Sequence, residues 1–313
     1  MPVIPNPLML INTLVLQEAK DSSSIENIFT TSDKLYKAFA SSTIQPDPQT
    51  KEVLRYRTAL YEAWKHLQHN DFSVDLFEKI YRTIKDTNDG IRDIEVFIGN
   101  RFKVVYTPPC CRSILLDKLN NLLKYIKDDN QTDPLVKMAI IHYQFEAIHP
   151  FTDGNGRTGR VLNVLYLTRI GILDQPVLYL SQYINAFKTD YYRLLQQVTV
   201  NGNLEAWIIY ILTAVKETAI ETLRKINAIH DLLTDTVEKV RTDAPEVYSR
   251  ELIDMLFVQP YCKISFLVEA GIASRNTASK YLHRLVELGL LEKVHFGNES
   301  LYLNKKLYEL LRT

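Results

Sequence analysis

Residues 133–171 read DPLVKMAIIHYQFEAIHPFTDGNGRTGRVLNVLYLTRIG and predict two helices joined by a glycine-rich loop. Asp133 can cap a helix and Pro134 fits a first helical position, so the first helix should start there. Its mostly apolar sequence is typical of a buried helix. The second helix is predicted for residues 157–170, with Gly171 as its C-terminal stop.

The connection between these helices contains HPFTDGNGRTGR (residues 149–160), which is suited to binding phosphate groups. Gly154 and Gly156 let consecutive backbone N–H groups converge into an anion-binding nest. The second helix starts there, so its positive end faces the same place. Arg157 and Arg160 lie one turn apart on one helical face and can reach further phosphates of the same ligand.

The same run of residues supplies a metal ligand and a base. Asp153 offers a hard carboxylate oxygen, which suits Mg²⁺ bridging phosphate oxygens. His149 stands at the end of the first helix and is a candidate general base. No Lys follows the glycines, so this is not a Walker A loop. Each residue alone fits an ordinary helix connection, whereas the whole set favours phosphoryl or nucleotidyl transfer.

The run HPFTDGNGRTGR resembles the signature of Fic-domain proteins, His-Pro-Phe-x-(Asp/Glu)-Gly-Asn-Gly-Arg-x-x-Arg, and matches every fixed position. The resemblance covers about residues 20–313 and implies a helical core that transfers AMP from ATP to a Ser, Thr or Tyr hydroxyl of a target protein. It implies that His149 deprotonates this hydroxyl and that Asp153 holds Mg²⁺, for which Mn²⁺ can substitute. It assigns nucleotide binding to Gly154, Asn155, Gly156, Arg157, Thr158, Gly159 and Arg160.

A short β-hairpin is predicted upstream of the motif. Residues 94–98 (IEVFI) and 102–106 (FKVVY) read as its strands, with a glycine-containing turn between them. The hairpin resembles the flap of the Fic family, whose edge strand pairs with the backbone of the target. The resemblance assigns target docking to Glu95, Val96, Phe97 and Ile98. A hairpin that only covers the core remains the alternative.

Tyr191 and Tyr192 resemble a tyrosine pair that lines the adenine pocket in this family. Aromatic faces can stack on adenine, and the hydroxyl groups can bond to polar atoms. The chain contains 18 tyrosines, so an ordinary core or surface role is an equally good interpretation.

Residues 22–27 (SSSIEN) fit the Fic inhibitory pattern (Ser/Thr)-x-x-x-Glu-(Gly/Asn), with Ser22, Glu26 and Asn27 at its fixed positions. The segment precedes the core, as in the subclass of the family whose inhibitory helix is N-terminal. The resemblance implies that Glu26 forms a bidentate pair with Arg160 and so occupies the guanidinium that should bind the γ-phosphate. Taken alone, the six residues equally suit a helix N-cap followed by a first-turn acid.

The pattern changes at TDAP (residues 242–245), where we place a domain boundary. Three short helical segments and an alternating stretch around Gly297-Asn298 then outline a winged helix. Residues 245–313 carry nine Lys/Arg and eight Asp/Glu, a weak charge for a DNA-binding domain. Polar and basic residues still cluster on the third helix: Arg275, Asn276, Thr277, Lys280, His283 and Arg284. DNA binding and protein docking or dimerisation both stay open.

Composition sets wider limits. The 313 residues suffice for about two domains, and 37 basic residues balance 37 acidic ones, so no global field favours nucleic acid or membrane. The three cysteines lack disulfide or metal spacing, which favours a reducing cytoplasm. MPVIPNPLML lacks the basic region of a secretion signal, and no apolar run reaches the ~20 residues of a membrane span.

These features predict a mainly α protein in three parts: an N-terminal segment with the inhibitory helix (1–48), a Fic core with a β-hairpin flap (49–242) and a winged-helix domain (243–313). The predicted function is an autoinhibited, Mg²⁺-dependent protein adenylyltransferase of the cytoplasm, acting on a target protein or on itself. Two alternatives stay open. One is an enzyme that removes AMP or transfers another phosphate-linked group at this site, and the other is a DNA-binding regulator that senses nucleotide. Whether the chain forms a homodimer is also open.

Overall fold

The computed structural model describes residues 7–41, 45–100, 103–128, 131–296 and 299–312, and most of them are helical. The helices are α1 (Pro7–Ile25), α2 (Ser32–Ala40), α3 (Pro48–Leu67), α4 (Val74–Lys85), α5 (Arg112–Lys127), α6 (Pro134–Ile148), α7 (Asn155–Arg169), α8 (Leu180–Ala186), α9 (Lys188–Asn201), α10 (Leu204–Asp243), α11 (Arg250–Phe257), α12 (Ile264–Glu269), α13 (Arg275–Glu287) and α14 (Lys305–Arg312). The strands are β1 (Ile98–Asn100), β2 (Lys103–Tyr106), β3 (Tyr261–Cys262), β4 (Glu292–Phe296) and β5 (Glu299–Leu303). The predicted fold class, mainly α with a small β-hairpin, is confirmed.

The chain forms two compact units. The first, called the core unit here, contains Glu18–Phe29 and Lys51–Ala219. The second, called the C-terminal unit, contains the described residues of Met1–Gln17, Thr30–Thr50 and Ile220–Thr313. The domain boundaries proposed from the sequence at residues 48 and 242 remain predictions.

Helices α6 and α7 form the buried centre of the core unit, on either side of the motif loop (residues 149–154). The side chain of Asp133 caps α6 and Pro134 lies in its first turn, as predicted. Helix α7 starts at Asn155 and is buried continuously over residues 157–167, so it lacks the polar stripe of a surface helix. Gly171 follows with φ 76°, the left-handed conformation expected of a helix stop.

Aromatic rings fix the motif loop against α4. The rings of Tyr81 and Phe151 stack with centroids 4.1 Å apart and planes 4° from parallel. Phe77 meets Phe145 edge to face at 5.7 Å, one turn before the loop. Phe151 is fully buried, so the Phe of the HPF run serves the core and anchors the loop from below.

The predicted hairpin is present, but its first strand is shifted. Strand β1 covers Ile98–Asn100 instead of residues 94–98, and its pairing with β2 is irregular after Ile98. Of the four predicted docking residues, Glu95, Val96 and Phe97 therefore precede the strand. The carbonyl of Ile94 accepts a hydrogen bond from Arg92 at 2.7 Å. Arg101 and Phe102 lie outside the described residues.

One long helix replaces two predicted ones. The sequence suggested helices at residues 204–226 and 231–240, whereas α10 runs without a break over 40 residues. The residues between the two predicted segments, NAIH (227–230), include no glycine or proline, so nothing in the chain stops the helix there. None of the described helices combines the length and the apolar character that a membrane span requires.

The C-terminal unit contains the helices and the ribbon that the sequence suggested. Its α11, α12 and α13 precede the antiparallel pair β4–β5, and the short β3 adds a third strand in the order β3-β5-β4. The turn predicted at Gly297-Asn298 lies outside the described residues. On α13, Arg284 pairs with Glu246 and Glu287 at 3.1 Å each, so it is engaged within the unit. The winged-helix assignment and DNA binding both stay predictions.

Replacing Phe77 with alanine should lower the free energy of unfolding of the core unit by about 3–5 kcal/mol, because the ring is fully buried against Phe145. Urea unfolding followed by tryptophan fluorescence measures this, since both tryptophans, Trp64 and Trp207, lie in the core unit. The exposed Lys79 on the same helix is the control, and Lys79→Ala should change the value by less than about 0.5 kcal/mol. Equal effects of the two substitutions would contradict the packing described here.

Candidate functional site

A cavity of about 460 Å³ opens in the core unit above the motif loop. Its size is in the range of small-molecule sites. Residues that are distant in sequence line it together: Glu26, Ile98, His149, Asp153, Arg160 and Tyr192. The cavity therefore joins the end of α1, the hairpin, the motif loop, α7 and α9 in one site.

His149 ends α6 in a left-handed backbone conformation, with φ 49° and ψ 60°. Such angles are uncommon for a residue other than glycine. The backbone N–H of His149 donates to Phe145, and its carbonyl accepts from Arg92 Nε at 2.9 Å. Burial lowers the pKa of the imidazole to about 4, although the Glu146 backbone acts in the opposite direction. The ring is therefore neutral at pH 7 and able to accept a proton.

The motif loop is closed by its own side chains. Asn155 accepts from the backbone N–H of Phe151 at 2.9 Å and donates to the Phe151 carbonyl at 2.7 Å. The Thr158 hydroxyl donates to the carbonyl of Gly154, which has φ 74°. Both Asn155 and Thr158 are buried, so they shape the loop from inside.

Two glycines of the motif are needed for close approach. A Cβ on Gly156 would lie 2.4 Å from Oε1 of Glu26 and 2.9 Å from Nη1 of Arg160. A Cβ on Gly159 would lie 2.5 Å from Oε1 of Glu146 on α6. Gly156 thus lets a carboxylate reach the start of α7, and Gly159 lets α6 and α7 pack closely.

Arg160 is fully buried and binds the end of α1. Its Nε donates to the Ser22 hydroxyl at 2.8 Å, and its Nη2 donates to the Ser22 carbonyl and to Glu26 Oε1 at 2.9 Å each. Nη1 has no hydrogen-bond partner among the described residues. The structure thus joins Arg160 with Ser22 and Glu26, with one oxygen of Glu26 in contact with Arg160 instead of the predicted bidentate pair.

Asn27 follows α1 with φ 61°. Asparagine tolerates this left-handed conformation better than most residues, which gives the Gly/Asn position of the pattern a conformational reason. Its side-chain oxygen lies 3.4 Å from Lys188 Nζ.

Arg157 takes a different position from Arg160. It is also buried, but its Nη1 forms an ion pair with Glu52 on α3, and its Nη2 lies 3.7 Å from Asp153 Oδ1. The structure therefore places Arg157 behind the loop, against α3, whereas the sequence pointed both arginines at phosphates.

Asp153 is held at both carboxylate oxygens. Oδ1 accepts from the Gly154 backbone N–H and Oδ2 lies 2.6 Å from Lys85 Nζ, which is also 3.2 Å from Glu52. Burial would raise the pKa of Asp153, but Lys85 and Arg157 outweigh it and lower the pKa.

Metal-ligating side chains are sparse at this site. Within the described ranges, no group of three or more His, Cys, Asp or Glu side chains could hold a metal ion. Mg²⁺ is often bound by one carboxylate plus substrate phosphates and water, so Asp153 fits this ion only together with a nucleotide.

The two tyrosines differ in exposure. Tyr191 is buried, and its hydroxyl lies 2.9 Å from Nε2 of the buried His142. Tyr192 is 42% exposed, with its ring centroid 5.1 Å from that of Tyr191. Both line the cavity, but Tyr192 offers the accessible ring and Tyr191 supports it from behind.

Several residues of the site were missed by the sequence analysis. Glu146 lines the cavity one turn before His149, and burial raises its pKa to about 8. An acidic residue inside a mostly apolar helix was a usable signal for it. Lys85, Glu52 and Arg92 gave no such signal, because they stand on other segments and reach the loop only in the folded chain.

Three family profiles match the chain: the Fic/DOC family N-terminal domain over residues 1–65, the Fic/DOC family over residues 71–167, and the C-terminal domain of protein adenylyltransferase SoFic-like over residues 232–307. Among curated relatives, protein adenylyltransferase fic-1 of Caenorhabditis elegans is 28% identical over 151 residues, 46% of this chain and 27% of that protein. Protein adenylyltransferase Fic of Nematostella vectensis is 36% identical over 129 residues, 41% of this chain and 27% of that protein. The chain thus spans about a quarter of the length of these relatives.

Solved structures share the fold. A Fic family protein from Desulfovibrio desulfuricans G20 superposes with a TM-score of 0.60 at 20% identity, over 95% of this chain and 86% of that one. Fic-1 of C. elegans gives 0.55 at 20% identity, over 72% of this chain and 68% of that one. The three profiles show that the chain belongs to the Fic/DOC family, its Fic domain accompanied by the family's N-terminal domain and a SoFic-like C-terminal domain.

Proposed function

We propose that the chain is a protein adenylyltransferase, which transfers AMP from ATP to a hydroxyl group of a target protein or of itself. The observation that carries the proposal is the cavity that holds His149, Asp153 and Arg160 around the N-terminus of α7. Relatives that share the Fic domain are named protein adenylyltransferases, which supports the same reaction.

In this reaction the hydroxyl oxygen of the target attacks the α-phosphorus of ATP, and the bond to pyrophosphate breaks. The neutral imidazole of His149 accepts the hydroxyl proton. The N–H groups at the start of α7 and the guanidinium of Arg160 bind the phosphates. Tyr192 contacts the adenine ring.

Asp153 would hold Mg²⁺, which supplies positive charge to the phosphate oxygens when it is bound. Lys85 Nζ lies 2.6 Å from Asp153 Oδ2, so Mg²⁺ at this oxygen would displace the lysine. The lysine would then keep its ion pair with Glu52. The Gly154 N–H still orients Oδ1 of Asp153.

Glu26 is an autoinhibitory residue in this proposal, called the brake below. Its carboxylate takes up one edge of the Arg160 guanidinium and lies where a Cβ of Gly156 would stand, next to the start of α7. A γ-phosphate needs the same charge, so ATP can reach the reactive pose only when Glu26 has moved. A specific observation also favours AMP removal as a second activity, because Glu26 lines the cavity with a partly exposed carboxylate that can orient water.

Replacing His149 with alanine should reduce AMP transfer by about 10²- to 10⁴-fold, the usual contribution of a general base. Incorporation of label from α-labelled ATP measures transfer, and a nucleotide titration should show affinity close to that of the wild type. His230→Ala, in the C-terminal unit, is the control and should leave transfer unchanged. Transfer by His149→Ala at the wild-type rate would remove this residue from the mechanism.

Substitutions at the two ends of the Lys85–Asp153 ion pair should act in opposite directions on metal binding. Asp153→Asn should abolish the gain in affinity for a non-transferable ATP analogue that Mg²⁺ gives over EDTA. Lys85→Gln should enlarge this gain by about two- to fivefold, a factor that matches the free energy of a partly exposed ion pair. Calorimetric titration with and without metal measures both. A weakened metal effect in Lys85→Gln would mean that the lysine assists the metal.

Glu26→Gly should raise transfer, including self-modification, by about ten- to a hundredfold, the equivalent of a charge-assisted hydrogen bond of roughly 1.5–3 kcal/mol. Ser22→Ala should give a smaller rise, because it removes only the contact to Nε of Arg160. Arg160→Ala should give no rise, alone or combined with Glu26→Gly, because it also removes a phosphate ligand.

A chase of pre-labelled protein separates the brake from AMP removal. If neither the wild-type enzyme nor Glu26→Gly removes the label from the protein, Glu26 is autoinhibitory only. Label lost only with wild-type Glu26 supports removal. Unchanged transfer and unchanged label in Glu26→Gly would leave Glu26 without either role.

A further inference from the structure

Arg92, between α4 and β1, is buried and uses its guanidinium entirely on the backbone. Nε donates to the carbonyl of His149 at 2.9 Å, Nη1 to that of Ile94 at 2.7 Å and Nη2 to that of Pro109 at 2.6 Å. The backbone N–H of Arg92 also donates to the carbonyl of Pro150 at 3.0 Å. One side chain thus ties three separate segments of backbone together.

Two of these segments are the ends of the hairpin. Ile94 precedes β1 by four residues and Pro109 follows β2 by three. The ring of Tyr106 adds a parallel tie, since its hydroxyl donates to the carbonyl of Ala147 at 2.8 Å. The hairpin is therefore attached at its base to α6 and to the residue that ends α6.

The third segment is the uncommon backbone turn at His149. His149 ends α6 in the left-handed conformation, and Arg92 Nε holds the carbonyl of the peptide that follows its Cα. If this peptide rotates, the direction of the imidazole changes with it. A displacement of about 1 Å in a reacting group can cost roughly a hundredfold in rate.

We propose that Arg92 is a positioning residue that fixes the distance between the hairpin and His149, so that a backbone docked on the hairpin presents its hydroxyl to the imidazole. The inference rests on the proposed function and on the prediction from the sequence that the hairpin docks the target. The geometry of the fork matters here and the charge does not, because the three acceptors are neutral carbonyls in three directions. A lysine, with its donors on one nitrogen, cannot reproduce this arrangement.

Arg112, which is exposed, provides a control on the neighbouring segment for the loss of one side-chain hydrogen bond to the backbone. Its Nη1 donates to the carbonyl of Ile91 at 2.8 Å, so it also links a side chain to the backbone before the hairpin. Its contacts lie at Ile91, Asp93 and Glu78, away from His149. Arg112→Ala therefore removes a comparable hydrogen bond without touching the turn at His149.

The test compares Arg92→Ala, Arg92→Lys and Arg112→Ala, each in the wild-type chain and with Glu26→Gly. Both Arg92 variants should lower kcat for transfer by about ten- to a hundredfold, with nucleotide affinity within about twofold of the parent. Guanidinium ion at millimolar concentration, well below unfolding concentrations, should restore part of the rate to Arg92→Ala only. Arg112→Ala should keep the parental kcat.

The outcomes separate this inference from the function on which it rests. No transfer by either parent would sink the proposed function itself. Transfer by the parents with Arg92 variants equal to Arg112→Ala would overturn the positioning role. A loss of rate together with an equal loss of nucleotide affinity and no rescue by guanidinium would also overturn it, since this pattern indicates a general structural defect. If Arg92→Ala does not fold, Arg92→Lys, which keeps the stem and the charge, decides by its kcat.

Discussion

The buried guanidinium of Arg160 is the constraint on which the site depends. A charge at 1% exposure costs several kcal/mol of desolvation unless partners surround it. In this structure the partners are Ser22 and Glu26 at the end of α1. Gly156 has no side chain because this carboxylate and guanidinium occupy the space. Asn27 turns the chain in a left-handed conformation immediately afterwards.

The two arginines of the motif, Arg157 and Arg160, have different roles. Arg157 is paired with Glu52 behind the loop, and Lys85 joins the same cluster by contacting Glu52 and Asp153. The two positive and two negative side chains of this cluster balance, so it stabilises the loop without a bound ligand. Arg160 instead keeps Nη1 without a partner among the described residues and faces the cavity. Arg157 therefore stabilises the motif loop, whereas Arg160 can exchange Glu26 for a phosphate group of a ligand.

Local sequence predicted those parts of the fold that local sequence controls. The cap at Asp133 and the stop at Gly171 follow from rules that involve a few neighbouring residues, and both were confirmed. The position of β1 had no local signal, because the base of the hairpin is held by hydrogen bonds from Arg92 to the distant carbonyls of His149 and Pro109. The two predicted helices at residues 204–226 and 231–240 are one helix, α10. Here the lack of a glycine or proline between them was a better guide than the change in hydrophobic pattern.

The part of the candidate site that lies in one stretch of sequence was predictable, and the part contributed by other segments was not. The run from His149 to Arg160 contains its own geometry, since Asn155 and Thr158 close the loop on itself. Lys85 lies 68 residues from the Asp153 that it contacts. Such pairs depend on how α4 packs against the loop, which composition and periodicity do not determine.

The buried Glu146 makes proton uptake part of the folding of the core unit. Burial raises its pKa from 4.5 to about 8, so the folded chain holds a proton here that the unfolded chain releases at pH 7. Relative to the unfolded chain, the stabilisation linked to this proton is fully present below pH 4.5 and is lost as the pH rises through about 8. Any anion that enters the cavity beside Glu146 raises the affinity for that proton further. By linkage, the proton raises the affinity for the anion to the same degree.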